Sequence, residues 1–365
     1  MRDILAELEG KEYTEGIYND YDIRFCNDDE YDDIKSFLKI HWKENHIFCL
    51  SKEVFDFQHL DKENHRYNFV IARYKEDNAI HALLGFVPTS QFDSGIKRTM
   101  VWPCIWKNRD DIKRKGLGVS MYHYLKNHIE IETISILGIS AVALSIYKHW
   151  NFSTGTIEQY VMPNFSAQDH LSSGLRDVYP SFSADTKDVF ELVDLSYDDY
   201  CAIPDSSEIF GEYAQYKSKI YYVNRFIKHP VYKYQFLAIK DKGGIKAIII
   251  ARKCGDGNYY CLRIVDYIGS ISYLAGIKNQ MQDYLVVNDL EYVDFVEVGL
   301  DDKELNQAGF INRKDYADVI VPNYFEPFLK ENIDLDYAFK TVVDDARKVF
   351  FKADADQDRP NILAH

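Results

Sequence analysis

The stretch VWPCIWKNRDDIKRKGLG, residues 101–118, decides which fold the sequence predicts. It begins as an apolar strand, turns into a basic loop and ends with Gly116 and Gly118, where the pattern of a helix begins. In a chain of net charge −15, five basic side chains crowd this loop: Lys107, Arg109, Lys113, Arg114 and Lys115. The first N–H groups of a helix are unpaired, its N-terminus carries the positive end of the helix dipole, and glycines let a ligand reach the backbone. The stretch therefore predicts a site for a phosphate-rich cofactor, with a solvated basic loop before a capped helix as the alternative.

Length and composition limit the class of protein. With 365 residues, of which 46% are hydrophobic, the chain is long enough to form two domains with separate cores. The strong negative charge argues against a general nucleic-acid or anionic-membrane binder, because such proteins need an extended basic face. No segment reaches the ~18 apolar residues of a membrane span, and the N-terminus lacks the apolar core of a signal peptide. We therefore expect a soluble, cytoplasmic protein with small-molecule partners, whose oligomeric state stays open.

The cysteines indicate neither a metal site nor a disulfide framework. No two of the six have the short paired spacing that zinc sites and redox motifs use. Most lie in apolar surroundings, where a free thiol behaves as a small hydrophobic side chain. We expect free thiols and no metal.

Hydrophobic periodicity predicts a mixed α+β domain in the first half of the chain. The expected order is helix, hairpin, strand, helix, strand, helix and a closing hairpin, at residues 31–38, 69–73 with 79–87, 99–106, 116–128, 133–137, 140–149 and 152–162. These elements form a mostly antiparallel sheet flanked by helices.

The same order of elements returns about 160 residues later. A hairpin, a third strand, a helix, a strand and a short helix are predicted at residues 236–241 with 245–252, 259–269, 271–285, 292–299 and 302–307. We interpret this as an internal duplication, with two unrelated mixed domains as the alternative. The predicted domains are 1–164 and 201–365, joined by a linker at 165–200. Because residues 265–276 contain no basic side chain, the second copy is expected to lack the anion site.

Three local motifs resemble the GNAT N-acetyltransferase superfamily. KRKGLG, residues 113–118, resembles that family's [QR]xxGx[GA] pyrophosphate loop, with Lys113 in place of Gln or Arg. SAVALSIYKHWNF, residues 140–152, resembles its NxxAxxLYxxxGF segment, although Ser140 and Asn151 depart from the pattern. VWPCIW, residues 101–106, resembles the family's interrupted fourth strand, because a proline inside a strand favours a bulge. The whole chain thus resembles a tandem GNAT protein with one competent acyl-CoA site.

The resemblance implies acetyl-CoA or another acyl-CoA as co-substrate. Backbone groups of the interrupted strand would hold the pantetheine arm and the loop would hold the pyrophosphate, which gives these candidate residues: Cys104, Ile105, Trp106, Lys113, Arg114, Lys115, Gly116, Leu117, Gly118 and Val119. It also implies that Tyr147 is the general acid for the CoA thiolate. A neutral phenol suits that role, while a buried structural tyrosine is the alternative.

The general base stays unresolved at this point. Carboxylates and imidazoles on the expected acceptor side are candidates: His81, Asp93, His149 and Glu158. The family uses the region of FQHLDKENH, residues 57–65, to hold the acceptor, so Gln58, His59 and Asp93 are candidate acceptor residues. A core histidine, a loop-terminating aspartate and a surface loop are the respective structural alternatives.

Residues 83–93 and 354–361 resemble bacterial proteins of surface-polysaccharide biosynthesis. This implies an amino sugar or nucleotide sugar as acceptor. An aminoacyl-tRNA-dependent transferase of the peptidoglycan-bridge type, or a non-catalytic tandem binding module, is the alternative.

The acidic residues at the C-terminal end alternate with other residues. Asp354, Asp356 and Asp358 resemble the start of a calcium loop, but Arg359 stands where that loop needs glycine. We therefore expect a solvated acidic tail, in which a salt bridge or an acceptor contact by Arg359 is the alternative.

Overall fold

A computed structural model describes residues 16–97, 99–179, 187–205, 207–211, 217–343 and 348–362. The helices and strands of the first copy are α1 (Ile17–Asp20), β1 (Tyr21–Asn27), α2 (Tyr31–His41), α3 (Ile47–Leu50), α4 (Lys52–His59), β2 (Leu60–Asp61), β3 (Arg66–Tyr74), β4 (Ile80–Pro88), β5 (Thr99–Asn108), α5 (Leu117–His128), β6 (Ile131–Leu137), α6 (Ala141–His149), β7 (Ser153–Thr156) and β8 (Glu158–Pro163). The predicted stripe of α5 is confirmed, because Leu117, Met121 and Leu125 are buried.

The connecting segment contains α7 (Leu175–Val178), β9 (Glu191–Asp194), α8 (Tyr197–Ala202) and α9 (Lys219–Tyr222), which continues as a π-helix over Val223–Ile227. The second copy contains β10 (Gln235–Asp241), β11 (Gly244–Gly255), β12 (Tyr260–Gly269), α10 (Lys278–Val287), β13 (Tyr292–Val298), α11 (Asp302–Gln307), β14 (Ile311–Asn312), β15 (Tyr324–Phe325), β16 (Phe328–Leu329), β17 (Asp336–Thr341) and β18 (Phe350–Phe351). The predicted order is confirmed, except that the start of the predicted helix is a 3₁₀ segment, Ile271–Ile277.

Two mixed, mostly antiparallel sheets of eight strands each are formed by the described residues. The first has the order β1-β3-β4-β5-β6-β17-β7, with β2 beside β3, and the second has the order β14-β8-β13-β12-β11-β10-β9, with β18 beside β13. In each sheet one pair is parallel, β5 with β6 and β12 with β13. The predicted α+β class is confirmed.

The predicted closing hairpin at 152–162 is wrong. β7 pairs with β17 in the first sheet, whereas β8 pairs with β13 in the second. Val161 and Met162 of β8 are fully buried, so this strand fits the interior of a sheet and not the edge of a hairpin. The sheets therefore exchange strands across residue 164, and the segment predicted as a linker supplies β9 to the second sheet. The division into domains at these residues stays a prediction.

The two copies share an apolar core. It joins Met100 and Trp102 of β5 to Ile248 and Ile250 of β11 and to Phe226 of the π-helix. Because side chains of both copies fill one core, the strand ends of the first copy are held against the second. No helix among the described residues combines the length and the apolar character needed to cross a membrane.

Candidate functional site

The parallel strands β5 and β6 separate where the sequence predicts an interruption. Their pairing ends at Val101 with Ile134, and beyond this point β5 pairs only with β4 in the described part of the chain. Opposite Gly85, β5 contains an extra residue, because Leu84 pairs with Trp106 and Phe86 with Pro103. Because β6 diverges beyond Val101, the other edge of β5 has no paired strand among the described residues, and its backbone groups are open to a ligand beside the bulge.

The glycine loop ends at the open N-terminus of α5. Gly116 precedes the helix in the left-handed conformation, with φ of 82° and ψ of −10°, and no side chain caps the helix. The Ser120 N–H bonds to the Gly116 carbonyl at 2.9 Å, but those of Gly118 and Val119 have no acceptor among the described residues. Such N–H groups, at the positive end of a 12-residue helix, suit an anion.

Gly118 lies where the helix closely approaches the bulged strand. A Cβ at this position would come within 3.0 Å of the Trp106 indole nitrogen and 3.5 Å of the Asn108 side chain. Any larger residue would therefore press against the Trp106 side chain. The cradle is the space between this helix end and β5, and the free N–H groups that face it suit an anion.

Ion pairs neutralise part of the basic loop. Lys107 contacts Asp110 at 2.6 Å, Arg109 contacts Asp111 at 2.6 Å, and Arg114 contacts Asp20 at 3.1 Å. Lys113 and Lys115 are exposed and form no ion pair within the described residues. These two lysines are the cations of the loop that remain available to an anionic ligand.

Tyr147 lies in the aromatic cluster behind the bulge. Its ring is 6.1 Å from that of Trp106 and 5.0 Å from that of Phe152, and only 2% of the residue is exposed. The hydroxyl has no hydrogen-bond partner among the described residues. Burial, together with the nearby Cys104 thiol, raises the pKa of Tyr147 above its ordinary value. The phenol is therefore protonated at neutral pH and can donate.

The residues predicted for the donor site lie together. Cys104, Trp106 and Gly118 border the open edge of β5, and Tyr147 packs beside Trp106. Ile105 contributes only its backbone, because its side chain is buried among the helices on the other face of the sheet. Their roles stay predictions.

Two further candidate bases, His81 and His149, belong to the first copy. His81 is buried near the start of β4, bonded to the Tyr21 hydroxyl at 3.1 Å and 3.5 Å from Asp77. It is four residues from Gly85, about 13 Å along a strand. His149 is exposed in the last turn of α6.

The other two candidates have structural partners outside the donor site. Glu158 accepts the Lys314 ammonium at 2.8 Å and the Asn312 amide at 2.9 Å, and so belongs to the second sheet. Asp93 accepts the Gly95 N–H at 2.9 Å and the Ser218 hydroxyl. Asp93 also borders an open cavity of about 960 Å³ between the first copy and the connecting segment.

The predicted acceptor residues Gln58 and His59 face a part of the chain that sequence reasoning placed elsewhere. The Gln58 amide donates to the Asp356 carboxylate. The His59 ring is fully buried against the Phe86 carbonyl, 3.2 Å from Nδ1, and burial lowers its pKa to about 4. His59 is thus enclosed, while Gln58 reaches the C-terminal segment.

The predicted solvated tail is wrong. Asp354 and Asp358 are fully buried, because Lys217 lies 2.7 Å from the first and Arg252 bonds the second at 2.9 Å. The segment passes beside the divergent end of β6, where the Ser135 hydroxyl donates to the Asp354 carbonyl at 3.0 Å. The predicted alternative for Arg359 holds, since its Nε lies 2.8 Å from Asp356. Ala353 and Ala355, which alternate with the aspartates in the sequence, are both buried. This alternation is the pattern from which a buried segment could have been predicted.

In the second copy, described residues fill both the first turn of α10 and the gap where β12 diverges from β13. Asp188 accepts the N–H groups of Asn279 at 3.0 Å and Gln280 at 2.8 Å, in the first turn of α10. Beside β13, where β12 diverges, β18 pairs through Glu297 with Phe351. The protein's own carboxylate and its own strand therefore occupy the places that stay open in the first copy.

Two solved structures have a fold similar to that of this chain. A GCN5-related N-acetyltransferase from Anabaena variabilis superposes with a TM-score of 0.52 at 10% identity, covering 88% of this chain and 73% of that one. A conserved protein from Enterococcus faecalis, described as a probable N-acyltransferase, gives 0.50 at 9% identity, with the same coverages. The chain has a tandem GNAT-like fold. No protein-family model and no curated protein matches the sequence, so the GNAT-like fold is what these likenesses establish.

Proposed function

We propose that this GNAT-like protein is an acyl-CoA-dependent N-acyltransferase whose donor site lies in the first copy. The observation that carries the proposal is the pair of free N–H groups at Gly118 and Val119, beside the unpaired edge of β5. A pyrophosphate at that helix end and an extended arm along that strand edge would satisfy both sets of backbone groups. In the second copy, Asp188 and β18 already satisfy the corresponding groups.

Acyl-CoA would supply the activated acyl group as a thioester. Lys113 and Lys115 would balance its phosphates, and the backbone of β5 beyond Val101 would position the acyl end at the bulge. Tyr147, protonated and without a competing partner, would donate a proton to the leaving sulfur. Preorganised N–H dipoles at the bulge would stabilise the carbonyl oxygen as its charge develops.

An amino sugar is the proposed acceptor. The cavity between the first copy and the connecting segment supports a hydroxylated ligand. Amide and hydroxyl side chains line it beside the Phe57 ring, among them Asn64, Asn68, Ser90, Gln91 and Ser94. The Asn68 amide oxygen is buried there without a partner. Five carboxylates and three lysines line the same cavity. Because this excess of negative charge repels an anion, a diphosphate does not suit the cavity. We therefore propose an amino sugar without a nucleotide.

Thiol release tests the proposed function. Acetyl-CoA and butyryl-CoA would each be incubated with the protein and a panel of free and nucleotide-linked amino sugars, with products identified by mass spectrometry. The proposal predicts CoA release in step with one N-acyl product. If none of the amines in the panel supported CoA release, the proposal would be contradicted.

A further inference from the structure

The geometry points to Asp356, in the C-terminal segment, as the carboxylate that takes a proton from the acceptor amine. This inference rests on the proposed function. It concerns a residue that lies more than 200 positions after the donor-site motifs and outside the four bases considered above.

The C-terminal segment borders the reaction cleft on the side of α2 to α4. The Gln357 amide donates to the Leu137 carbonyl at 3.3 Å, at the divergent end of β6. Asp356 reaches Gln58 on α4, and Arg359 extends over the Phe48 ring with a guanidinium distance of 5.2 Å. Tyr147 packs on the opposite face of the sheet, with α5 and α6. An amine entering along the segment would thus meet the thioester on the face away from the proposed acid.

Asp356 has a carboxylate oxygen that is free. Gln58 Nε2 and Arg359 Nε both donate to Oδ1, the latter at 2.8 Å. Oδ2 has no partner among the described residues, and 12% of the side chain is exposed. The neighbouring carboxylates Asp354 and Asp358 are fully buried and held by Lys217 and Arg252. Asp356 is therefore the carboxylate of this segment that an incoming amine can reach.

Other groups around Asp356 do not compete for the proton. The titratable and charged groups that face it are Arg359, His46, His59 and the Cys104 thiol. Burial lowers the pKa of His46 to about 3 and that of His59 to about 4, so both rings are neutral at neutral pH. The Arg359 guanidinium also donates to Asn361 Oδ1 at 2.7 Å and lies 3.2 Å from His46 Nε2. These contacts hold the guanidinium beside the Asp356 carboxylate.

The proton balance assigns each step a residue. The ammonium of the acceptor gives one proton to Asp356 Oδ2, which passes it to solvent, and the free amine forms a bond to the acyl carbon. The carbon–sulfur bond breaks and the Tyr147 hydroxyl protonates the sulfur. The nitrogen loses its second proton on the same face, again through Asp356 to solvent, and the Tyr147 phenolate regains a proton from solvent.

Asp356→Asn tests this role with little change of shape, because the amide oxygen can still accept from Gln58 and Arg359. At neutral pH the variant should show a kcat at least about 100-fold lower, with unchanged KM for acetyl-CoA and unchanged melting temperature. Raising the pH should restore much of the rate, because the amine then loses its proton unaided, and Asp356→Glu should retain part of it. Asp334→Asn, at an exposed aspartate paired with Arg313, is the matched control and should keep wild-type kinetics.

A wild-type rate in Asp356→Asn, or an unchanged pH profile, would overturn the inference while the proposed function stands. Absence of acyl transfer by the wild-type chain would overturn the proposed function and this inference with it.

Discussion

The Asp188 carboxylate accepts the backbone N–H of Gln280 at 2.8 Å and so closes, in the second copy, the helix end that stays open beside Gly116 in the first. A carboxylate at a helix N-terminus stabilises the helix by hydrogen bonding and by its interaction with the dipole. Asp188 therefore does for α10 what a bound pyrophosphate would do for α5.

Asp188→Ala should lower the free energy of unfolding by about 1 kcal/mol, because two first-turn N–H groups lose their acceptor. Urea denaturation would measure the loss. Asp283→Ala, at an exposed position of the same helix, controls for removal of a negative charge. An equal effect of both substitutions would contradict the capping role.

Tyr147→Phe should lower kcat by about 100-fold or more while leaving acetyl-CoA affinity unchanged, because only the proton donor is removed. Tyr122→Phe is the matched control. Its hydroxyl is also buried without a partner, and its ring lies 6.4 Å from that of Tyr147. Steady-state kinetics of both variants decide the question, and comparable rate losses would refute the assignment of the acid.

Phe351→Ala should destabilise the protein by about 3–5 kcal/mol, the range for a fully buried phenylalanine. The side chain is 1% exposed and stacks on Phe295 with ring centroids 5.5 Å apart, where β18 fills the second sheet. Leu329→Ala, at a residue 38% exposed, should cost far less. Chemical denaturation would compare them, and similar losses would argue that β18 contributes little to the second core.

The buried Glu297 carboxyl makes the free energy of unfolding depend on pH. Burial raises its pKa to about 8, and the groups that face it are Glu158, Asp302 and Lys314. Between its ordinary pKa and about 8, the folded protein holds a proton that the unfolded chain releases, so stability falls as the pH rises through this window. The slope is at most about 1.4 kcal/mol per pH unit.

Glu297→Gln should remove this contribution. Urea unfolding at about pH 5 and about pH 7.5 should show a larger loss of stability for the wild type than for the variant. Identical losses would mean that Glu297 does not hold the proton in the folded state.

Local patterns predicted the order of elements well. The apolar spacing of α5 and the alternation of β10 to β12 depend on the buried face of each element alone, which the sequence carries directly. Pro103 predicted the bulge for a similar reason, since a missing N–H disturbs the strand at its own position. The donor-site motifs gather at this bulge.

Partners far apart in the chain could not be predicted from the same patterns. The sequences of β8 and β17 are typical of strands and do not indicate which sheet each one joins. β8 pairs with β13 of the second sheet and β17 pairs with β6 of the first, and each partner lies over 100 residues away in the chain. The burial of Asp354 and Asp358 depends in the same way on Lys217 and Arg252, whose positive charges offset the cost of burying carboxylates. The sequence alone therefore predicts a solvated Asp356, because its neighbours in the fold come from distant parts of the chain.

Calorimetric titration of acetyl-CoA tests the central claim most directly. A donor site in the first copy alone should give one binding site per chain, and Gly118→Trp should abolish binding, because the added indole would clash with Trp106 at the cradle. Val287→Trp, which adds the same bulk at a position 83% exposed in the second copy, should bind like the wild type. Two sites per chain, or undiminished affinity in Gly118→Trp, would contradict the account.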